Sequence, residues 1–355
     1  MKVLNSAFTD TSGKFALYQG VPFINDILQY DSLSIVGLEK NIGKTECLKY
    51  VLDRLPVQTK RIAVTSIGID GETVDQVTRT QKPEIVLREG MYFGTSEAHY
   101  RQRRLVSELI DVSDESTSLG RVVTAKALTG GKILLSGPSS ASSLRRWMAD
   151  RHNAGIDLVV IDGALSRMSS ASPAVSQSLI LATGAAYSAN MNTLVSKTVH
   201  VVDLVNLDLT SEDNINRLMP LEKGVWFIDK AGNLNGLDAV TSLSKDIRFE
   251  GMDDCVTLYV AGALVDGFLE KVRKNKHLKQ VELVVRDFTK IFVTPQQFRL
   301  FIKAGGCIRV LQKSKLIAVT VNPTSPSGYV LDSDTLCGRL SEAIGLPVYD
   351  LLKNN

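Results

Sequence analysis

The residues with the clearest chemistry stand in SIVGLEKNIGKTECLKYVL, where Gly37 closes one apolar run and Gly43, Lys44 and Thr45 open an amphipathic one. Glycines let backbone N–H groups approach phosphate oxygens, and a helix amino terminus adds partial positive charge at the same place. In such a loop a lysine at the position of Lys44 meets the β and γ phosphates, and a hydroxyl at the position of Thr45 holds magnesium. Lys40 and Asn41 share the turn and count with Gly37, Gly43, Lys44 and Thr45 as nucleotide contacts, whereas Glu39 and Glu46 read as solvated carboxylates. Five residues, not four, separate Gly37 from Gly43, so the pattern G-x-x-x-x-G-K-[ST] is missed by one and a longer loop is expected. Gly-Lys-Thr also opens ordinary helices; the strand before it and the amphipathic stretch behind it favour phosphate binding.

A phosphate loop of this kind needs an acid at the end of a neighbouring strand to hold the magnesium shell. DLVVIDGALSR supplies Asp162 directly after four apolar residues, in the place of a Walker B acid. An aspartate before glycine can simply terminate a strand, and the upstream loop is what favours the metal role. Asp70 and Glu72, in SIGIDGE, are candidates for positioning water or for a nucleotide-sensing switch, with a structural role equally open. Lys44, Asp70 and Glu72 thus form the expected catalytic set, and Thr45 and Asp162 the metal set.

Other signals are weaker. The basic runs RQRRL and KVRKNKHLK read first as solvated faces. The hydroxyl-rich ALSRMSSASPA beside Asp162 fits a substrate or second phosphate contact no better than a flexible loop. Cys47, Cys255, Cys307 and Cys337 form no C-x-x-C pair and His99, His152, His200 and His277 are isolated, which disfavours a structural metal site or a disulfide framework and fits a reducing cytoplasm.

The elements that must position these residues are apolar, β-branched runs and helical periods. SLSIVG, RIAVTSI, KILLSG, DLVVID and GVWFID read as buried strands. Leu48, Val51, Leu52 and Leu55 recur at helical spacing before Pro56, as do Leu144, Trp147 and Met148 after Ser139; residues 188–207 read as helix, with a strand near residue 200 open. Residues 85–128, with short apolar runs between Gly90, Gly94 and Gly120, suggest a small sheet or hairpin inserted into the main layer. A composition break at KDIRFEGMDD precedes a fresh strand–helix series, VTLYVAGAL, VDGFLEKVRKN, VELVV, PQQFRLFIKAG and CIRVL, and then a last strand and amphipathic helix. The fold class expected is α/β, with a P-loop nucleotide domain on a mostly parallel sheet over residues 1–250 and a smaller C-terminal α/β domain over 251–355.

The chain's 355 residues fit two domains, and 41 Lys and Arg against 38 Asp and Glu leave a formal charge of +3, too small to argue for nucleic acid or anionic lipid. The first residues lack a signal-peptide core and no apolar run reaches membrane-spanning length, so a soluble cytoplasmic protein without membrane attachment is expected. A homo-oligomer stays open.

Several separated blocks carry a family resemblance: GLEKNIGKT; AVTSIGIDGE with DQVTRTQKPEI; VVIDGALSRMSSASPA with LATGA; and TVNPTSPSGY with GLPVYDL. Together they resemble the P-loop reactivase subunit associated with adenosylcobalamin-dependent lysine 5,6-aminomutase, over nearly the whole chain. More distantly, the five-residue spacing and the DLVVIDGA strand are similar to dethiobiotin synthetase, whose strand ends Glu-Gly-Ala where Asp162 stands here. The resemblance implies ATP and Mg2+ as cofactors, a MutS-like ATPase subunit as partner and an aminomutase as client. It also implies a chaperone-like ATPase role, driving release of damaged cobalamin, with Asp70 and Glu72 in the nucleotide switch. An ATP-dependent small-molecule enzyme of the dethiobiotin synthetase type is the alternative. No N-K-x-D-type guanine-reading motif is found, which favours adenine weakly.

Overall fold

The computed structural model describes residues 21–67, 84–164, 172–237, 241–243, 249, 252–275 and 281–353. Along the chain, α1 (Ile24–Ile27) and β1 (Ser32–Gly37) are followed by α2 (Lys44–Arg54) and β2 (Ile62–Ser66). Next come β3 (Ile85–Leu87), β4 (Tyr92–Ser96), α3 (Glu97–Arg101), β5 (Ser107–Thr117), β6 (Gly120–Ala127), β7 (Gly131–Ile133), α4 (Ala141–Asn153) and β8 (Leu158–Ala164). The middle of the chain supplies β9 (Ser178–Gly184), α5 (Met191–Val205), α6 (Glu212–Leu218), β10 (Val225–Asp229) and β11 (Leu234–Gly236). The remainder supplies β12 (Cys255–Val260), β13 (Leu264–Val265), α7 (Asp266–Lys274), β14 (Glu282–Val285), β15 (Ile291–Phe292), α8 (Pro295–Lys303), β16 (Cys307–Val310), β17 (Lys315–Asn322), α9 (Ser333–Ile344) and β18 (Val348–Tyr349).

The main sheet runs β18-β17-β9-β1-β8-β2-β4-β6-β5. It is parallel from β18 through β4, and the antiparallel pairings are those of β6 with β4 and with β5, so that among these strands β6 alone runs in the opposite direction. Every residue of β1 is buried, as a central strand covered on both faces requires. Leu33 and Ile35 join Leu48, Val51 and Leu52 of α2 in one core, while Val36 turns to the opposite face with Leu181 and Val202. Farther along that second face, Leu144, Trp147 and Met148 of α4 pack on Ala63, Val159 and Ile161. The α/β class holds, with helices on both faces of a mostly parallel sheet.

The sheet order reverses beside β1. From β1 the chain passes through α2 to β2 on one side, and after β8 it crosses to β9 on the other. Ligands of open α/β sheets bind at the carboxyl ends of strands at such a switch point. Gly37, Ala164 and Ala182 lie level across β1, β8 and β9 there.

Three sequence expectations are corrected. The division at residue 250 does not follow the sheets: β10 and β11 precede it yet belong to a second sheet, β11-β10-β12-β14-β16. Beyond it, β17 returns to the main sheet and pairs with β9 from Lys315↔Ser178 to Asn322↔Gly184. The reason is burial: β17 covers the edge of β9 and takes Ala318 and Val319 fully out of solvent. The core is shared as well, since Val36, Leu181 and Val202 belong to the same cluster as Leu258, Phe268, Leu283 and Phe301. Residues 251–355 are therefore not a self-contained α/β unit.

KILLSG is strand only to Ile133, in a two-stranded pair with β3 outside the main layer. Beyond it, side chains replace a strand ladder. Thr95 Oγ1 donates to the Leu134 carbonyl at 2.7 Å, and the Gly137 N–H donates to Ser66 Oγ at 3.2 Å. The insert at 85–128, in turn, is largely not separate: β4 lies parallel to β2, and β6 and β5 extend the same sheet outward.

Candidate functional site

The candidate site begins where β1 ends. The Leu38 N–H donates to the Ala182 carbonyl at 3.0 Å, carrying the chain off the sheet beside β9. Leu38 and Ile42 are buried and Glu39, Lys40 and Asn41 are exposed, so two apolar residues anchor the loop and its tip faces outward. The loop turns with Asn41 at φ 60° and Gly43 at φ 85°. Space at Gly37 is tight: a Cβ there would stand 3.0 Å from Ile42 Cδ1 and 3.3 Å from the Glu39 carbonyl oxygen.

Gly43 is the N-cap of α2 and offers no side-chain bond to it. The Cys47 N–H donates to the Gly43 carbonyl at 2.9 Å, which leaves the amides of Lys44, Thr45 and Glu46 outside the ladder of the helix. Three donors and the positive end of the helix dipole therefore gather at one point. Thr45 is half-buried in this first turn, and Glu46 pairs with Lys49 on the exposed side, consistent with a solvated carboxylate.

Asp162 lies on β8 between Ile35 of β1 and Ser66 of β2. Lys44 Nζ donates to Asp162 Oδ1, so the structure brings together two of the charged residues expected of the site. The side chains are 24% and 17% exposed respectively, so each is largely shielded yet reachable from the loop side. Beneath them Cys47 is fully buried, and burial pushes its thiol up to about 12 against the smaller opposing influence of a Thr320 hydrogen bond. It acts as a small apolar support for the loop and not as a nucleophile.

Gly37, Lys40, Asn41, Gly43, Lys44, Thr45 and Asp162 thus cluster around one loop and one strand end. Asp70 and Glu72 lie outside the described residues. Of the hydroxyl-rich stretch after Asp162, Ser172 is described, and its Oγ donates to the buried carboxylate of Asp287 at 3.0 Å, a tether to the end of β14. The run RQRRL is occupied locally: Arg101 pairs with Glu97, Arg103 stacks on Tyr100 at 3.9 Å, and Arg104 lies 3.5 Å from Glu84. A surface concavity along α8, lined by Thr294, Pro295, Gln296, Arg299, Leu300 and Lys303, shares none of the loop residues.

Two groups at the loop were not singled out from the sequence. Asn322, the last residue of β17, donates from Nδ2 to the Asn41 carbonyl at 3.3 Å. It lies within the block TVNPTSPSGY quoted above, but as a single residue it shows only a polar side chain closing an apolar run before Pro323, which many strand ends show. Tyr187, after β9, has its hydroxyl pKa raised by burial and, to a smaller extent, by the nearby Glu39 carboxylate, while Lys197 Nζ lies 4.9 Å from its ring centre. Nothing in the local spacing joins Glu39, Tyr187 and Lys197; the crossover from β9 does.

Among the described residues no three His, Cys, Asp or Glu side chains form a metal-holding group. The oxygen donors at the loop, the Thr45 hydroxyl and the Asp162 carboxylate, suit a hard cation that completes its shell with phosphate and water oxygens. Among the described residues no helix is long and apolar enough to cross a membrane. Comparison with protein-family models, curated proteins and solved structures finds no match to this chain.

Proposed function

We propose that this chain binds Mg–ATP at the loop between β1 and α2 and hydrolyses it as a chaperone-like component that reactivates an adenosylcobalamin-dependent aminomutase. The observation that carries the nucleotide reading is the Lys44–Asp162 pair under a left-handed loop at the switch point of a parallel sheet. In this reading the free amides of Lys44, Thr45 and Glu46 receive phosphate oxygens, and Lys44 exchanges its carboxylate for the β and γ phosphates. Thr45 and Asp162 hold the magnesium, which neutralises charge on the phosphate chain. Water adds to the γ phosphorus as the bond to the bridging oxygen breaks, giving ADP and phosphate.

The client rests on the sequence blocks quoted above. A radical cobalamin enzyme that has lost its adenosyl group retains damaged cobalamin in a tight site, and a nucleotide-loaded partner can open that site only by binding its open form better. Moving the equilibrium from 1:99 to 99:1 takes about 5.5 kcal/mol of differential affinity, within reach of a phosphate-ordered switch. A MutS-like ATPase subunit is proposed as the second component. The deciding experiment measures phosphate release by the purified chain with and without an inactivated aminomutase and that partner. Stimulation by the inactivated enzyme supports reactivation. Stimulation by a carboxylate or amine metabolite instead supports the dethiobiotin synthetase type of reaction, which the five-residue loop spacing also fits, and tight ATP binding without phosphate release removes hydrolysis.

A further inference from the structure

Asn322 ends β17 with both side-chain polar atoms and its carbonyl engaged. Its Nδ2 donates to the Asn41 carbonyl at 3.3 Å, its Oδ1 accepts from the Thr324 N–H at 3.1 Å, and its backbone carbonyl accepts from the Ala185 N–H at 2.8 Å. Its Cβ also lies against Gly43, where an added Cβ would come within 3.1 Å. On the other side, a Cβ on Gly184 would meet the Asn322 carbonyl oxygen at 2.2 Å, so the end of β17 is seated flush on β9. This one residue therefore touches both left-handed positions of the loop.

The contact with Asn41 matters because of peptide geometry. The Asn41 carbonyl and the Ile42 N–H belong to one planar unit and point in opposite directions. Holding the carbonyl fixes the direction of that N–H and, through Gly43, the approach of the amides that follow. Asn41 is also one of two non-glycine residues with positive φ among those described, a conformation that asparagine adopts more readily than most residues.

We infer that Asn322 is a positioning residue of the phosphate loop, a clamp delivered by the last long strand of the main sheet across 281 residues of sequence. The inference rests on the nucleotide reading above and deepens it: Asn322 acts on the loop backbone, so its effect reaches the ligand through phosphate-binding amides and not through the nucleoside. Docking of β17 on β9 is then a condition for a competent loop.

The test uses the full chain with Asn322→Ala and Asn322→Ser; the serine hydroxyl can keep the turn to the Thr324 amide but falls short of Asn41. Calorimetry measures affinity for Mg–ATP and for magnesium with inorganic triphosphate, and hydrogen exchange follows the amides of residues 38–45 without ligand. The expected result is a similar loss, about three- to tenfold, for ATP and triphosphate, as for one neutral hydrogen bond, with faster exchange in the loop. A loss confined to ATP overturns the clamp in favour of a nucleoside contact, and unchanged affinity with unchanged exchange overturns it outright. If the wild-type chain binds neither compound, the nucleotide reading fails by itself: faster loop exchange in both variants then still supports the clamp, and unchanged exchange removes it.

Discussion

The ammonium of Lys44, the first residue of α2, bonds the carboxylate of Asp162 on β8, although 118 residues separate them in the chain. The pair stands where three parallel strands end, under amides that have no partner within their helix. At 24% and 17% side-chain exposure it is partly shielded, and a pair of this kind contributes on the order of 1 kcal/mol. Both charges can therefore be exchanged for those of a phosphate chain and a cation at modest cost.

Lys44→Ala should weaken nucleotide binding strongly while leaving the chain folded. Losing a hydrogen bond from a charged donor to phosphate removes about 1.5–3 kcal/mol, roughly ten- to a hundredfold in affinity. Calorimetry with Mg–ATP checks this, and an unchanged dissociation constant would sink the assignment of the loop.

Asp162→Asn should act in two directions. Without magnesium, ATP no longer has to break an ion pair, so its affinity should rise by about fivefold, the equivalent of a partly shielded salt bridge. With magnesium, phosphate release should fall and the metal requirement should weaken. Titrations with and without the cation separate the two, and a variant identical to wild type in both would exclude Asp162 from the site.

Gly43→Ala should destabilise the chain and the loop together. At φ 85° a Cβ is strained, and here it would also stand 3.1 Å from Asn322 Cβ. A left-handed non-glycine residue costs about 1–2 kcal/mol, read as a lower midpoint of thermal unfolding. An unaltered midpoint would show that the backbone at this position adapts freely.

His200 should make stability depend on pH. Burial between α5 and α8 lowers its pKa from the ordinary 6.5, outweighing the hydrogen bond to the Val293 carbonyl, with Asp203, Arg299 and Asp266 as the nearby charges. The unfolded chain then takes up a proton that the folded one refuses. The stabilisation is complete above the unfolded value and is lost as pH falls from there through the lowered folded value. Asp203, whose pKa burial raises from 3.8, works in the opposite sense in a more acidic window. Thermal unfolding from about pH 7.5 to 5.5 should show a steeper decline in wild type than in His200→Gln, and parallel profiles would contradict it.

How far the sequence could be read depended on the range of the interactions involved. Leu48, Val51 and Leu52 show the buried face of α2 in their spacing, and Pro56 marks its end, because both are set within a few residues. Gly43-Lys44-Thr45 and Asp162, the acid that closes the apolar run LVVI, were legible for the same reason. KILLSG was not, since the Leu134 carbonyl and the Gly137 N–H bond to the side chains of Thr95 and Ser66, far away in sequence.

By itself, then, the sequence determined local pieces: the β1 and β8 strands, the α2 helix, the glycines of the loop and the chemical types gathered in it. The tertiary structure alone decided which sheet each strand joined, that residues 315–322 return to close the edge of β9, and that Asn322 reaches Asn41. A fully buried parallel strand carries the same apolar signature in any sheet, so its partners are chosen by the burial of the whole chain and not by its own residues.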